Sequence, residues 1–307
     1  MLPLQSNRDL ILAGPTGVGK SAIAVALAER VQGEIVNYDS VQVYRGFDIG
    51  SAKPSVEARR RVPHHLLDIV NAYEPFTAAD FSREARRVST EIRARNRTPI
   101  FVGGTGFYLR AYLGGLSEMP GRDETIRARL RSIAASGRGQ ERLHRWLLRI
   151  DPVSGSRISP KDRHRVERAL EVHLITGRPI SSWPRLEAGS GDNPTAVRLA
   201  ITVDRSDLVN RINRRVEEMY QQGLLEETRL LLEIHDSGCR PFQTIGYREA
   251  VRILQNELSV ESAIAETQRR TRAYAKRQMT WLRGERGVTW IENRGIDETV
   301  SRILNAT

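Results

Sequence analysis

The octapeptide Gly14-Pro15-Thr16-Gly17-Val18-Gly19-Lys20-Ser21 has the glycine spacing and the Lys-Ser ending of a phosphate-binding loop. Such a loop joins a buried strand to a helix, and here an apolar run at residues 9–13 precedes it and an amphipathic stretch at residues 20–31 follows it. Its backbone N–H groups and the N-terminus of the helix attract phosphate. We therefore predict that the whole octapeptide binds phosphate, with Lys20 bridging phosphate oxygens and the Ser21 hydroxyl ligating Mg²⁺.

Short apolar runs alternate with amphipathic stretches through the N-terminal third of the chain, which is the pattern of β-α-β units on a parallel sheet. Besides the strand at residues 9–13, strands are predicted at residues 34–38, 99–102 and 198–203, and a long helix follows the last of them. The fold class is therefore predicted to be α/β, with a P-loop NTPase-like core in which helices flank a parallel sheet.

An Arg-rich helical segment interrupts this core. Its helices are predicted at residues 126–133, 142–150 and 163–175, and the turn-rich stretch at residues 187–194 is expected to return the chain to the core. We therefore predict three segments. They are residues 1–120 as the first part of the core, residues 121–190 as a small all-helical insertion domain, and residues 191–307 as the rest of the core with a basic C-terminal helix at 266–282.

The charge balance favours a polyanionic partner. The 307 residues carry 48 Lys+Arg against 37 Asp+Glu, a net charge of +11, which suits nucleic acid or an anionic lipid surface. An apolar share of 39% argues against a disordered or membrane-embedded chain.

The single cysteine, Cys239, excludes an internal disulfide and a Cys-rich zinc site. The start resembles neither a signal nor a transit peptide, so we expect a cytoplasmic protein without membrane contact, and a monomer because nothing indicates a coiled coil.

The Mg²⁺-binding aspartate that often accompanies such a loop is harder to find in this sequence. Kinases and NTPases with this loop hold Mg²⁺ with an aspartate that ends an apolar strand. The strand at 99–102 instead ends in Gly103-Gly104-Thr105, and the candidate Leu66-Leu67-Asp68 could equally be a loop.

Asp39 follows the strand at residues 34–38. Because ligands gather beyond the carboxyl ends of parallel strands, the phosphate loop, Asp39 and Thr105 should share one crevice. Taken alone, Asp39 could be a helix N-cap or a turn residue, and the glycine-rich segment around Thr105 could be a simple turn.

Further motifs follow the loop along nearly the whole chain. They are Asp39-Ser40 and the segments at residues 46–54, 63–68, 76–81, 102–108, 168–172, 245–248 and 276–283. In these motifs the sequence resembles the tRNA dimethylallyltransferase family. Eukaryotic members carry a C-terminal zinc finger, whereas this sequence ends soon after Trp290, so the resemblance is to the bacterial form.

The resemblance implies transfer of a dimethylallyl group from dimethylallyl diphosphate to the exocyclic amine of the adenosine 3′-adjacent to a tRNA anticodon, with release of pyrophosphate. The loop would then bind the diphosphate and stabilise its developing charge. Asp39 would act as general base, and Thr105 would position the bridging oxygen. An Arg-Ile-x-x-Arg pattern implies one more diphosphate ligand, and we favour Arg215 over Arg211, although both could be a solvated helix face.

The same resemblance implies an anticodon stem-loop whose target base leaves the stack to reach a buried channel. Arg269, Arg272, Lys276 and Arg283 form a basic stripe on the predicted C-terminal helix, which without the resemblance would be interpreted as a solvated face. Residues expected to contact tRNA are Asp39, Ser40, Val41, Gln42, Thr105, Arg127, Asp162, Arg163, His164, Arg165, Val166, Gln243, Thr244, Ile245, Gly246, Tyr247, Arg248, Arg272 and Lys276.

Three other functions stay open at this point. An adenylate isopentenyltransferase would use the same core on a free nucleotide, but it has no need of a long cationic surface. A phosphate-loop NTPase or small-molecule kinase requires a second Mg²⁺-binding aspartate beside Ser21. A nucleic-acid binder could hydrolyse ATP as a switch.

Overall fold

A computed structural model describes residues 8–115, 119–184 and 196–307. The chain divides into two compact units, Leu116–Glu187 and the remainder, Met1–Gly115 with Ala188–Thr307. The turn-rich stretch predicted at residues 187–194 and the first seven residues lie outside the described residues.

The larger unit is built on one parallel sheet. Its six strands have the order β3-β2-β4-β1-β5-β6 among the described residues. They are β1 (Leu10–Ala13), β2 (Gly33–Asn37), β3 (His64–His65), β4 (Thr98–Val102), β5 (Val197–Thr202) and β6 (Val288–Glu292). The predicted α/β fold with a parallel sheet is confirmed, and each predicted strand is found within one residue at either end. The edge strands β3 and β6 were not predicted.

Helices flank the sheet and form the smaller unit. They are α1 (Lys20–Val31), α2 (Val56–Arg61), α3 (Ala78–Ala94), α4 (Gly106–Gly114), α5 (Glu124–Ala135), α6 (Gly139–Ile150), α7 (Pro152–Arg157), α8 (Arg163–Thr176), α9 (Arg205–Gln221), α10 (Leu224–Ile234), α11 (Tyr247–Leu254), α12 (Val260–Arg283) and α13 (Ile296–Ala306). Helix α12 begins six residues before the predicted start because the Ser259 hydroxyl caps it, accepting the N–H of Ser262.

The central strands are buried on both faces. Every residue of β1, β2 and β4 is inaccessible, as expected for a parallel sheet that helices cover on both sides. Leu10 and Leu12 face one side and pack with Ile23 and Leu27 of α1. Truncating Leu12 to alanine would therefore cost about 2–5 kcal/mol.

The topology gathers three connections at one edge of the sheet. Strands β2 and β4 lie on one side of β1, and β5 and β6 lie on the other. The side on which successive strands are added to the sheet therefore reverses at β1. In open α/β sheets this reversal point is where the crevice for a ligand opens. The loops that leave the carboxyl ends of β1, β2 and β4 therefore meet there.

The smaller unit has its own hydrophobic core. In its described residues, 119–184, helices α5 to α8 pack around Leu130, Leu143, Leu147 and Leu170. The buried carboxylate of Glu171 lies in this unit and accepts hydrogen bonds from the guanidinium groups of Arg127 and Arg168.

Candidate active site

The phosphate loop is shaped by glycines at positive φ. Gly17 has φ 83° and Gly19 has φ 95°, which most side chains avoid. Helix α1 begins directly after Gly19, and among the described residues no side chain caps its N-terminus, so its first N–H groups face the ligand side. The Lys20 Nζ donates to the carbonyls of Gly14 at 2.9 Å and Pro15 at 2.8 Å. The lysine is thus folded against its own loop.

Asp39 lies in the turn that follows β2. Its Oδ1 accepts the N–H of Val41 at 2.8 Å and that of Gln42 at 3.4 Å, and its own N–H donates to Asn37 Oδ1 at 3.2 Å. The turn role considered from the sequence is therefore real. It coexists with a place in the wall of the pocket that holds the phosphate loop.

Thr105 lies in the turn between β4 and α4, directly after the pocket residues Gly103 and Gly104. Its Oγ1 accepts the N–H of Ser40 at 3.0 Å, and its N–H donates to the carbonyl of Tyr38 at 3.3 Å. The phosphate loop and Asp39 therefore line one pocket, and Thr105 adjoins that pocket through Gly103 and Gly104. The pocket is lined by Thr16, Lys20, Ser21, Ala24, Ile35, Asn37, Asp39, Gln42, Ser51, Ala52, Pro54, His64, Val102, Gly103, Gly104, Arg215, Tyr274 and Gln278.

The structure distinguishes the two arginines of α9. Arg215 lines the pocket, and its Nη1 donates to Thr16 Oγ1 at 3.3 Å. Arg211 is exposed on the preceding turn, close to Gly19. The preference for Arg215 therefore agrees with the geometry.

The electrostatics of the pocket suit an anion. Burial, followed by the charge of Arg215, lowers the pKa of Lys20 to about 7, while the Asp39 carboxylate acts in the opposite direction. Burial raises the pKa of Asp39, against the lowering effect of the N–H groups that it accepts. A bound anion would restore the proton on Lys20, because a nearby negative charge favours the charged form of an amine.

Asp68, the candidate second acid, does not face this pocket. It follows β3 in an irregular segment, with φ 54°, and is bound to Lys53 at 2.5 Å and to Arg59 at 3.0 Å. The side chain of Lys53 is 1% exposed and also donates to the carbonyl of Tyr44. The interpretation of Leu66-Leu67-Asp68 as a loop is correct, and Asp68 anchors that loop.

Sequence reasoning missed two residues that α12 brings to the pocket. The Gln278 Oε1 accepts the N–H of Thr16 at 2.8 Å, and its Nε2 donates to the carbonyl of Gly104 at 3.0 Å. The Tyr274 hydroxyl donates to the same carbonyl at 3.1 Å. Gln278 lies in the motif at residues 276–283, but a partner 262 residues away in the chain gives no local signal.

The residues predicted to contact tRNA fall into two groups. Several are accessible to a large ligand. In the smaller unit these are Arg163, His164 and Arg165 at the N-terminus of α8, and in the larger unit Gln243 and Lys276 are exposed. The Asp162 carboxylate caps this helix end and lies 3.4 Å from the Arg165 guanidinium, so Arg163 contributes the exposed positive charge that suits phosphate.

Others have side chains that are buried or engaged inside the protein. Val166 and Tyr247 are fully buried, and the Tyr247 hydroxyl donates to Glu227 at 2.5 Å. Gly246 is buried beside it, and Arg127 commits its guanidinium to Glu171 at 2.6 and 2.9 Å. These residues support their exposed neighbours and do not present a free side chain to RNA.

The basic stripe lies along a groove between α9 and α12. Arg272, Lys276 and Arg283 line it together with Leu208 and Met279, whereas Arg269 does not and lies 3.8 Å from Glu266. Arg272 Nη1 donates to Asn213 Oδ1 at 2.6 Å, whereas Lys276 is exposed. None of the helices in the described ranges is both long and apolar enough to span a bilayer.

Two family models match the sequence. The model described as IPP transferase matches residues 42–285, and the model described as isopentenyl transferase matches residues 8–68. Among curated proteins, the tRNA dimethylallyltransferase of Geobacter metallireducens is 46% identical over 302 residues, which cover 98% of this chain and 97% of that protein. The protein of the same description from Koribacter versatilis is 45% identical over 94% of both chains.

Solved structures resemble the chain over nearly its full length. The tRNA isopentenylpyrophosphate transferase from Bacillus halodurans is 38% identical, with a TM-score of 0.71, and the match covers 97% of this chain and 95% of that one. A eukaryotic dimethylallyltransferase acting on tRNA is 26% identical with a TM-score of 0.77, over 97% of this chain and 78% of that chain.

Proposed function

This chain belongs to the IPP transferase family and is a tRNA dimethylallyltransferase, and from that premise we propose its substrates and the roles of its residues. The donor is dimethylallyl diphosphate, and the acceptor is the exocyclic amine of the adenosine 3′-adjacent to the anticodon. The observation that carries this proposal is that Lys20, Arg215 and Asp39 line one pocket, with two cations available for a leaving diphosphate and one carboxylate for an incoming amine.

The phosphate loop binds the donor. In the reaction the bond between the allylic carbon and the bridging oxygen breaks, and its electron pair stays with the diphosphate. Loop N–H groups, Lys20 and Arg215 stabilise that growing negative charge, which is the kind of stabilisation that contributes most to many enzymatic rates. The hydroxyl of Thr105, in the turn after the neighbouring strand β4, assists toward the bridging oxygen.

Asp39 activates the acceptor. The nitrogen of the adenosine forms a bond to the allylic carbon, and its surplus proton passes to the Asp39 carboxylate. An aromatic amine is a weak nucleophile until that proton is drawn away. Burial raises the pKa of Asp39, which makes it a stronger base than an exposed carboxylate.

The loop offers the Ser21 hydroxyl as a ligand for Mg²⁺, and the substrate would complete the coordination shell of the ion. No group of three or more His, Cys, Asp or Glu residues that could hold a metal occurs in the described part of the chain. Mg²⁺ commonly uses few protein ligands together with phosphate oxygens and water, so the Ser21 hydroxyl and the diphosphate would hold it. Bound there, it would offset charge on the leaving group.

Cationic surfaces support a tRNA acceptor. The net charge of +11, the exposed arginines at the N-terminus of α8 and the exposed Lys276 on α12 are suited to an RNA backbone. A free nucleotide would not use such surfaces, which favours an anticodon stem-loop over adenylate as acceptor.

A comparison of acceptors tests the proposal. In separate reactions the protein is supplied with labelled dimethylallyl diphosphate and an anticodon stem-loop, with labelled dimethylallyl diphosphate and AMP, or with labelled ATP. We expect label to appear on the stem-loop in amounts equal to the pyrophosphate released. Preferential labelling of AMP, or ATP hydrolysis without prenyl transfer, would contradict the proposal.

A further inference from the structure

Helix α12 touches both halves of the pocket through one side chain. The amide of Gln278 accepts a hydrogen bond from Thr16 of the phosphate loop at 2.8 Å and donates one to the carbonyl of Gly104, next to Thr105, at 3.0 Å. The side chain is 7% exposed, so both bonds are largely shielded from water. Gln278 therefore links the segment that holds the donor to the segment that faces the acceptor.

The backbone around Thr105 is fitted closely to this helix. A Cβ atom at Gly104 would lie 2.3 Å from Gln278 Nε2, and one at Gly106 would lie 2.5 Å from the ring of Trp281. Both distances are too short for any side chain without displacement of the neighbour. Thr105 is thus held between two glycines that each pack against a residue of α12.

A glutamine is suited to this link by its chemistry. Its amide has an acceptor oxygen and a donor nitrogen on one planar group, so it can bond to an N–H and to a carbonyl at the same time. Methionine has a similar length but neither function. Glutamate keeps the acceptor and loses the donor, and it adds a negative charge beside the site of the diphosphate.

We propose that Gln278 is a positioning residue that fixes the separation between the leaving diphosphate and the accepting amine by tying the phosphate loop to the Gly104-Thr105 turn. The inference rests on the proposed function of the site. The reacting atoms must be held about 3–3.5 Å apart, and a misplacement of about 1 Å can lower a rate about 100-fold. Loss of the link therefore slows the chemical step more than it weakens binding of either substrate.

The test compares wild type with Gln278→Met in single-turnover transfer from dimethylallyl diphosphate to an anticodon stem-loop, both saturating. We expect a rate about 30- to 100-fold lower, with the KM for the donor and the Kd for RNA within about 3-fold of wild type. The matched control is Gln268→Met on the same helix, since the Gln268 amide also makes two hydrogen bonds, to Asn213 and Glu217 of α9, but outside the pocket. Its rate should equal that of wild type.

A second variant reaches the same link from the other side. Gly104→Ala places a methyl group where the Gln278 amide lies, so it should slow transfer about as much as Gln278→Met. Because both variants break one link, the double variant should be no slower than either, a non-additive result. Thermal melting of each variant, together with the single-turnover rate of the folded fraction, separates loss of positioning from loss of fold.

Three results would overturn the inference. They are a rate within about 3-fold of wild type for both single variants, additive losses in the double variant, or an equal loss in Gln268→Met. Failure of the proposed function would look different, because wild type itself would then leave the stem-loop unlabelled.

Discussion

Asp39 and Asp68 follow neighbouring strands of one sheet, since β2 pairs with β3, yet the two turns differ in what surrounds the carboxylate. Asp68 lies between Lys53 and Arg59 at ion-pair distance, and those cations neutralise its charge. Asp39 accepts backbone N–H groups on one oxygen and lines the pocket. The Asp68 carboxylate serves the fold, and the Asp39 carboxylate remains available to a ligand.

The cations of the two turns differ in the same way. Lys53 bonds to two carboxylates and a carbonyl, which leaves its ammonium group engaged inside the loop. Lys20 and Arg215 bond to the carbonyls and the hydroxyl of the phosphate loop, and an incoming diphosphate can replace those bonds. The partner of a charge, and not its position after a strand, separates an anchoring residue from a functional one.

The largest effect should follow from Asp39→Asn. Asparagine can still accept the N–H groups of the turn, but it cannot take the proton of the amine, so transfer should fall by at least about 100-fold with little change in thermal stability. Single-turnover transfer to the stem-loop measures this. Near-normal transfer would remove the distinction drawn between Asp39 and Asp68.

Lys20→Ala should cost about 100-fold, because it removes a charge that stabilises the leaving diphosphate. The pH dependence of kcat/KM for the donor gives a second test of this role of Lys20. The pKa of Lys20 in the free protein is lowered to about 7, and the diphosphate binds best to the protonated form, so kcat/KM for the donor should fall as pH rises above about 7.

The value of kcat should not fall in the same range, since bound diphosphate keeps the proton on Lys20. The control is Lys20→Ala, whose weaker kcat/KM should lack that decline. A wild-type kcat/KM that is flat from pH 7 to pH 9 would show that Lys20 does not titrate there.

A smaller effect is expected from the basic stripe. Neutralising Lys276, which is exposed, should weaken stem-loop binding and lower its salt slope by about 1, as for one lost phosphate contact. Neutralising Arg272 should do less than this, because its guanidinium is shared with Asn213. Binding titrations over a range of salt measure both, and unchanged slopes would make the stripe a solvated face.

Asp68→Asn should have the smallest effect on catalysis. Transfer by the folded protein should stay within about 3-fold of wild type, whereas stability should fall by about 1–3 kcal/mol because Lys53 and Arg59 lose an ionic partner. Denaturant melts measure the stability change. A large loss of transfer at unchanged stability would instead place Asp68 in the reaction.

Much of the larger unit was predictable from local sequence. Helix α1 has both predicted ends because the phosphate loop defines its start. Strands β1, β2 and β4 are buried on both faces, and each contains a short apolar run, Leu10–Ala13, Ile35-Val36 and Ile100–Val102. The two edge strands were missed for physical reasons. Strand β3 has two residues, and β6 exposes three of its five.

The site was predictable only where it follows strand ends. Asp39 and Thr105 could be placed because parallel strands end at the same edge. Gln278 could not, because its partner Thr16 is 262 residues away and nothing local marks the pair. Tyr247 was expected to contact tRNA from the family resemblance alone, whereas its side chain is buried and its hydroxyl donates to Glu227.

The most direct test is a crystal structure of the protein with pyrophosphate and an anticodon stem-loop. The account predicts pyrophosphate on the loop N–H groups beside Lys20 and Arg215, with the exocyclic nitrogen of the adenosine about 2.6–3.2 Å from an Asp39 carboxylate oxygen. Pyrophosphate bound elsewhere, or an adenosine that stays stacked in the anticodon with its nitrogen far from Asp39, would contradict it.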